Sequence, residues 1–182
     1  MPVIATGALV RPPFTEAQFT ATQWDTAADK ADFANTLCRF IAANFKQSLF
    51  THKLYQRLHL SFGHIAHNNL SGFFDDFFRD LQGNIAFLEE TLAWWPCGQP
   101  EDTFCDVERA VQTRLRASNL LDAYRALRAA EIEGAERALL TLLCRKYAGQ
   151  DPPAPVRVPI LYPGSPPKAA RKEAPKDQAS LF

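Results

Sequence analysis

Two groups of residues in this chain have types and spacings that could do chemistry. The first is histidine: His52, His59, His64 and His67 all fall within THKLYQRLHLSFGHIAHN, residues 51–68. Turned by about 100° per residue, this stretch places Leu54, Tyr55, Leu58, Phe62, Ile65 and Ala66 on one arc. Every histidine lies outside that arc, with His59 at its margin, so the imidazoles face water or a partner. His64 and His67 form H-x-x-H, and His52 and His59 are two turns apart, which would suit a surface metal pair. No Glu-x-x-His or His-Glu-x-x-His accompanies them, so the expectation is no metal and no cofactor. Arg57 precedes His64 by seven residues, which on a continuous helix puts both on one face beside Ser61 and Asn68. The second group is Gln178, Ala179, Ser180, Leu181 and Phe182. An amide offers both donor and acceptor, and the two adjacent apolar side chains follow a stretch that cannot belong to a core. Residues 151–177 hold eight of the thirteen prolines, interleaved with Gly, Ser, Ala and charge, and such a composition buries too little apolar surface to offset its ordering entropy. Leu181 and Phe182 are then either an untidy terminus or a peptide presented on a tether.

The pentapeptide QASLF resembles the bacterial sliding-clamp-binding motif, Gln, any residue, Ser or Asp, Leu, then Phe or Leu, and every defined position is matched. The resemblance covers these five residues and implies contact with the DNA polymerase III β clamp. Gln178 would hydrogen-bond in a small polar subsite, Ser180 holds the motif's small polar position, and Leu181 and Phe182 would fill an apolar cleft. Burying each of those two side chains is worth roughly 1.5 to 3 kcal/mol, part of it offset by ordering. A tether of 27 residues extended at about 3.1 Å each would span on the order of 80 Å, enough to hold the body clear of the clamp. Lys168, Arg171, Lys172 and Lys176 would then lie near the encircled DNA and reach it indirectly, through the clamp. The apolar stretch VRVPILYPG, 156–164, could dock on the body or on a second partner. Separately, Arg57-x6-His64 resembles the loose Arg-x(4–6)-His signature of HEPN-type ribonucleases, which are also small and all-α. That resemblance implies catalysis on an RNA 2′-hydroxyl and scissile phosphate, often across a dimer. Leu58 stands where that family usually carries a polar residue, and the pair lies mid-domain.

The elements that must position these groups read as helices. Residues 26–45 repeat apolar side chains at Phe33, Leu37, Phe40, Ile41 and Phe45, with Asp25 or Thr26 as cap. Residues 51–68 form a second helix. Residues 71–95 put Phe74, Phe78, Leu81, Ile85, Leu88, Leu92 and Trp95 on one stripe, bent at Gly83, with Asp75, Asp76 and Asp80 on the solvated side. Pro96 ends that run, Asp102 caps a helix through Arg116, and 119–148 is one long helix or two divided near Gly134. No segment alternates or enriches β-branched residues as a strand would. The expected fold is all-α, an irregular bundle of five or six helices with a disordered Pro-rich tail. The boundaries are an N-terminal extension at 1–13, a helical domain at 14–150, a flexible linker at 151–177 and the clamp-binding peptide at 178–182.

Composition bounds the function. At 47% hydrophobic and 22% charged, the chain is ordinary globular protein with room for one core. Of twenty basic and twenty acidic residues, 15 and 17 lie in 1–150 and 5 and 3 in 151–182, so neither part has the basic excess of a phosphate-driven nucleic-acid binder. No signal-like or membrane-spanning run is present, which predicts a cytoplasmic protein without membrane contact. Cys38, Cys97, Cys105 and Cys144 read as reduced thiols, Cys38 and Cys144 as small core residues. The sequence thus predicts a non-enzymatic bacterial or mobile-element factor that tethers an all-α domain to the replisome, for replication, repair or clamp competition. The alternative is a helical nuclease using Arg57 and His64. Oligomeric state is left open.

Overall fold

The computed structural model describes residues 7–62 and 69–148. Seven α-helices occupy these residues: α1 (Gly7–Val10), α2 (Ala27–Ala42), α3 (His52–Leu60), α4 (Leu70–Phe77), α5 (Leu81–Ala93), α6 (Cys105–Ala117) and α7 (Leu120–Tyr147), with single 3₁₀ turns at Glu16–Gln18 and Gln47–Leu49. There is no strand among the described residues, so the all-α expectation holds. The helix count exceeds five or six because α1 was undecided in the sequence and the 71–95 stretch is two helices.

Helix α2 is the central element. It starts at a reciprocal capping box: the Thr26 hydroxyl accepts from the Asp29 N–H at 3.1 Å, and the Asp29 carboxylate accepts from the Thr26 N–H at 3.1 Å, satisfying two donors that a helix start leaves open. The Thr26 hydroxyl also donates to Asp29, and these bonds hold the Asp29 carboxyl below its ordinary value. Phe33, Leu37, Phe40 and Ile41 are buried on the core face, as the three-and-four spacing requires. Past its end, Asn44 and Phe45 both take left-handed φ values of 56° and 53°. That conformation is unfavourable for Phe, and what offsets it is burial: the Phe45 ring stacks on Phe78 at 5.1 Å and meets Phe40, Phe87 and Tyr124 edge-on. Phe50 and Phe73 extend this cluster, so phenylalanines from α2, α4, α5 and the connecting turns form one aromatic core.

Three further expected helices end or begin elsewhere. The 51–68 helix stops at Leu60, because Ser61 is extended and Phe62 is left-handed, which delivers the buried Phe62 ring to the core and its N–H to Glu108 Oε1 at 3.3 Å. The 71–95 helix breaks at Phe78–Asp80 and not at Gly83. Asp80 caps α5 by accepting from the Gly83 N–H at 2.7 Å, and Gly83 is where α5 meets α4: a Cβ there would lie 2.6 Å from the Asp76 carbonyl oxygen. Asp102 does not cap α6, which begins at Cys105. Trp95, expected on the buried stripe, is 83% exposed. Residues 7–10 are part of the body and not an extension: Leu9 is fully buried, and Arg114 donates to its carbonyl at 3.2 Å.

Helix α7 runs unbroken through Gly134. Its first two turns pack through buried Leu120 and Tyr124 and partly buried Leu121, and it begins at left-handed Asn119. From Ala129 to Ala148 every residue is exposed, so the last five or so turns leave the body as an arm. Cys144, expected in the core, is on that arm and exposed. Among the described residues no helix is long and apolar enough to cross a membrane.

Candidate functional site

Arg57 is placed by α3 on the side facing the 20–26 loop, and the structure uses it there. Its guanidinium donates to the Asp25 carboxylate, a bond that raises its pKa further, and its Cζ lies 5.0 Å over the Phe104 ring. The Lys30 ammonium is 5.5 Å from the same ring, so Phe104 has two cations as neighbours. Arg57 therefore clamps the loop before α2 and the loop before α6 onto α3. His64 lies outside the described residues, and because α3 ends at Leu60 the continuous helix that would have put Arg57 and His64 on one face does not extend to it. His52 and His59 are exposed and flank Tyr55, their rings 6.1 and 6.5 Å from its centroid. His67 is outside the described residues. Among the described residues no three His, Cys, Asp or Glu side chains converge as a metal site would need.

A polar network that the sequence did not reveal runs along α6. Lys30, on α2, has no solvent exposure. Its ammonium donates to the carbonyls of Pro100 at 2.7 Å and Thr103 at 2.8 Å, and to Asp106 Oδ1 at 3.0 Å. These acceptors use all three of its protons. Asp106 also accepts from the Thr20 N–H at 2.9 Å. Two residues on, buried Glu108 accepts from the Trp94 indole N–H at 2.9 Å and from Phe62 N–H. Gln112 donates to the carbonyls of Thr91 and Trp94 at 2.9 and 2.7 Å. Most of these interactions tie an irregular segment to a helix, and Lys30–Asp106 and Gln112–Thr91 join α6 to α2 and α5, so the network anchors loops and helices with each charge hydrogen-bonded. Polar residues recurring along the inner face of α6 were the available signal.

Between α5 and α7 lies an open groove of about 490 Å³ lined by Asn44, Arg79, Asn84, Leu127 and Glu131 among others. Asn44 accepts from the buried Tyr124 hydroxyl at 2.5 Å, and Asn84 Oδ1 is buried with no hydrogen bond. The lining offers amides, a guanidinium and carboxylates, which is hydrogen-bonding capacity without an assembled nucleophile and base. An exposed apolar surface lies on α7, where Ile132, Leu139, Leu140, Leu142 and Leu143 all face out. The sequence reading took these residues as ordinary helix; the signal was the spacing of Ile132, Ala135, Leu139 and Leu142 in threes and fours.

Gln178, Ser180, Leu181 and Phe182, the residues expected to bind the clamp, lie outside the described residues, as do the other positions from 149 onward. A scan against protein-family models, a search of curated proteins and a search of solved structures each return no match.

Proposed function

We propose that this chain binds the bacterial DNA polymerase III β sliding clamp through Gln178–Phe182 and holds its helical domain at the replisome, acting in the cytoplasm in replication, repair or clamp competition. The observation that carries the reading is the order Gln-Ala-Ser-Leu-Phe, in which a two-way hydrogen-bonding amide and two adjacent apolar anchors stand where the clamp motif has them. Among the described residues the aromatic core is assembled from side chains between Leu9 and Tyr124.

The test is a titration of purified β clamp with the full chain, with a chain lacking 178–182, and with Leu181→Ala plus Phe182→Ala. Loss of two buried anchors predicts at least about a hundredfold weaker Kd, with no change in the circular dichroism of the body. Equal affinity of the full and shortened chains would overturn the reading. Cleavage of RNA by the wild-type chain, removed by His64→Ala, would favour the HEPN-like alternative, in which Arg57 must first leave Asp25.

A further inference from the structure

From Arg128 to Lys146, α7 is a formed helix about 28 Å long with one side unpartnered. Four of its exposed apolar residues fall at the seam positions of a heptad, Ile132 and Leu139 at a and Ala135 and Leu142 at d, while Leu143 flanks the seam at e and Leu140 lies outside it at b. Leu139 is 58% and Leu142 62% exposed, high values for leucines whose helix is anchored to a packed domain. The charges beside this seam decide what can cover it. Glu131 and Arg145 are at g, and Glu136 is at e.

In a parallel pair, g faces e of the partner five residues on, which sets Glu131 against Glu136 twice with no opposite charge. In an antiparallel pair g faces g. Stacking Ile132 on Leu142 of a second copy, and Ala135 on Leu139, makes four apolar layers and brings Glu131 beside Arg145 of the other copy at both ends. The like-charge contacts are then Glu136 with itself on the two-fold axis and Arg128 opposite Lys146 of the other copy at each end of the seam. Arg128, which closes the seam opposite Lys146, already has a carboxylate partner in Glu131 at 3.3 Å. Arg137 is turned to Glu133 on the far side of the helix and leaves the seam clear.

We infer that the α7 arm is a homodimerisation element, pairing antiparallel with the same segment of a second copy. Both arrangements stack four apolar layers, and the charges decide between them: only the antiparallel pair sets Glu131 against Arg145. The seam is short for an isolated coiled coil, but its helix is already nucleated by the packed first turns, so association does not have to order it. The inference is independent of the clamp peptide.

Sedimentation equilibrium of the full chain tests it. The mass should rise from 20.4 kDa toward twice that value across micromolar to submillimolar concentration. Leu139→Glu with Leu142→Glu should remain monomeric with unchanged melting, since neither side chain reaches the core. Glu131→Arg or Arg145→Glu alone should weaken the dimer about tenfold, and an equimolar mixture of the two variants should regain it, because each copy then supplies the opposite charge at both ends. Removing 178–182 should leave the mass unchanged, which separates failure of this inference from failure of clamp binding. A monomer at every concentration overturns the inference, whether segment 156–164 or a different protein then covers the face. A dimer indifferent to the leucine substitutions also overturns it, and one that the mixture fails to restore overturns the antiparallel register.

Discussion

Lys30 carries a charge into a site with no solvent exposure, and its stability is conditional on four oxygens that come from one loop and one helix. Lys30→Met removes the cation and leaves Asp106 half-buried without it, which is expected to cost about 3–5 kcal/mol in urea unfolding. Lys30→Met with Asp106→Asn should recover part of that loss, because the carboxylate is no longer left unpaired. Two other buried groups set an alkaline limit. Burial pushes both the Cys38 thiol and the Tyr124 phenol up to about 12, from ordinary values of 9.0 and 10.0. The unfolded chain releases these protons first, so it binds fewer protons than the folded one between pH 9 and 12. Their contribution is complete below pH 9.0 and is lost as pH rises toward 12. The melting temperature should therefore fall across that window, and Tyr124→Phe should make the fall above pH 10.0 shallower.

At the scale of elements, glycines and caps divide the work. Gly83→Ala would gain up to about 1 kcal/mol of helix propensity, but its Cβ would meet the Asp76 carbonyl oxygen at 2.6 Å. Backbone cannot yield cheaply there, so the variant is expected to be destabilised by about 1–3 kcal/mol in chemical denaturation. Gly134 has nothing within 4 Å, so Gly134→Ala should stabilise the arm by about 0.5–1 kcal/mol, read as up to about fivefold slower amide exchange over 130–140. These two positions looked alike in sequence, each a lone glycine inside an apolar-periodic run. Gly83 reads as a bend in the sequence and is none, whereas at Gly134 the sequence leaves one helix or two, and the structure has one. The real interruption is at Phe78–Asp80, where Asp80 takes the cap, since splitting the run lets Phe78 and Phe87 reach Phe45 from different directions while Phe73 packs on Phe78.

At the scale of the whole molecule, folding and the proposed clamp contact are assigned to separate parts of the chain. Deleting 178–182 is expected to leave the thermal transition of the body within about a degree, since the proposal gives that peptide to the clamp and not to the core. What was legible in the sequence was whatever depends on local periodicity: the all-α class, the buried face of α2, the Thr26 start and the buried Cys38. The candidate nuclease pair depended on a helix continuing for seven residues past Arg57, and local pattern could not foresee that Phe62 is drawn into the core and onto Glu108. Nor could it place Cys144 or Trp95, because an apolar stripe states that a face needs covering and not whether a neighbour exists to cover it. By itself the sequence determined helices, caps and the composition of the clamp-motif peptide, all set by interactions within a few residues. Only the tertiary structure decided where helices stop, which charges are buried and which leucines stay bare, because those outcomes turn on contacts between residues far apart in the chain.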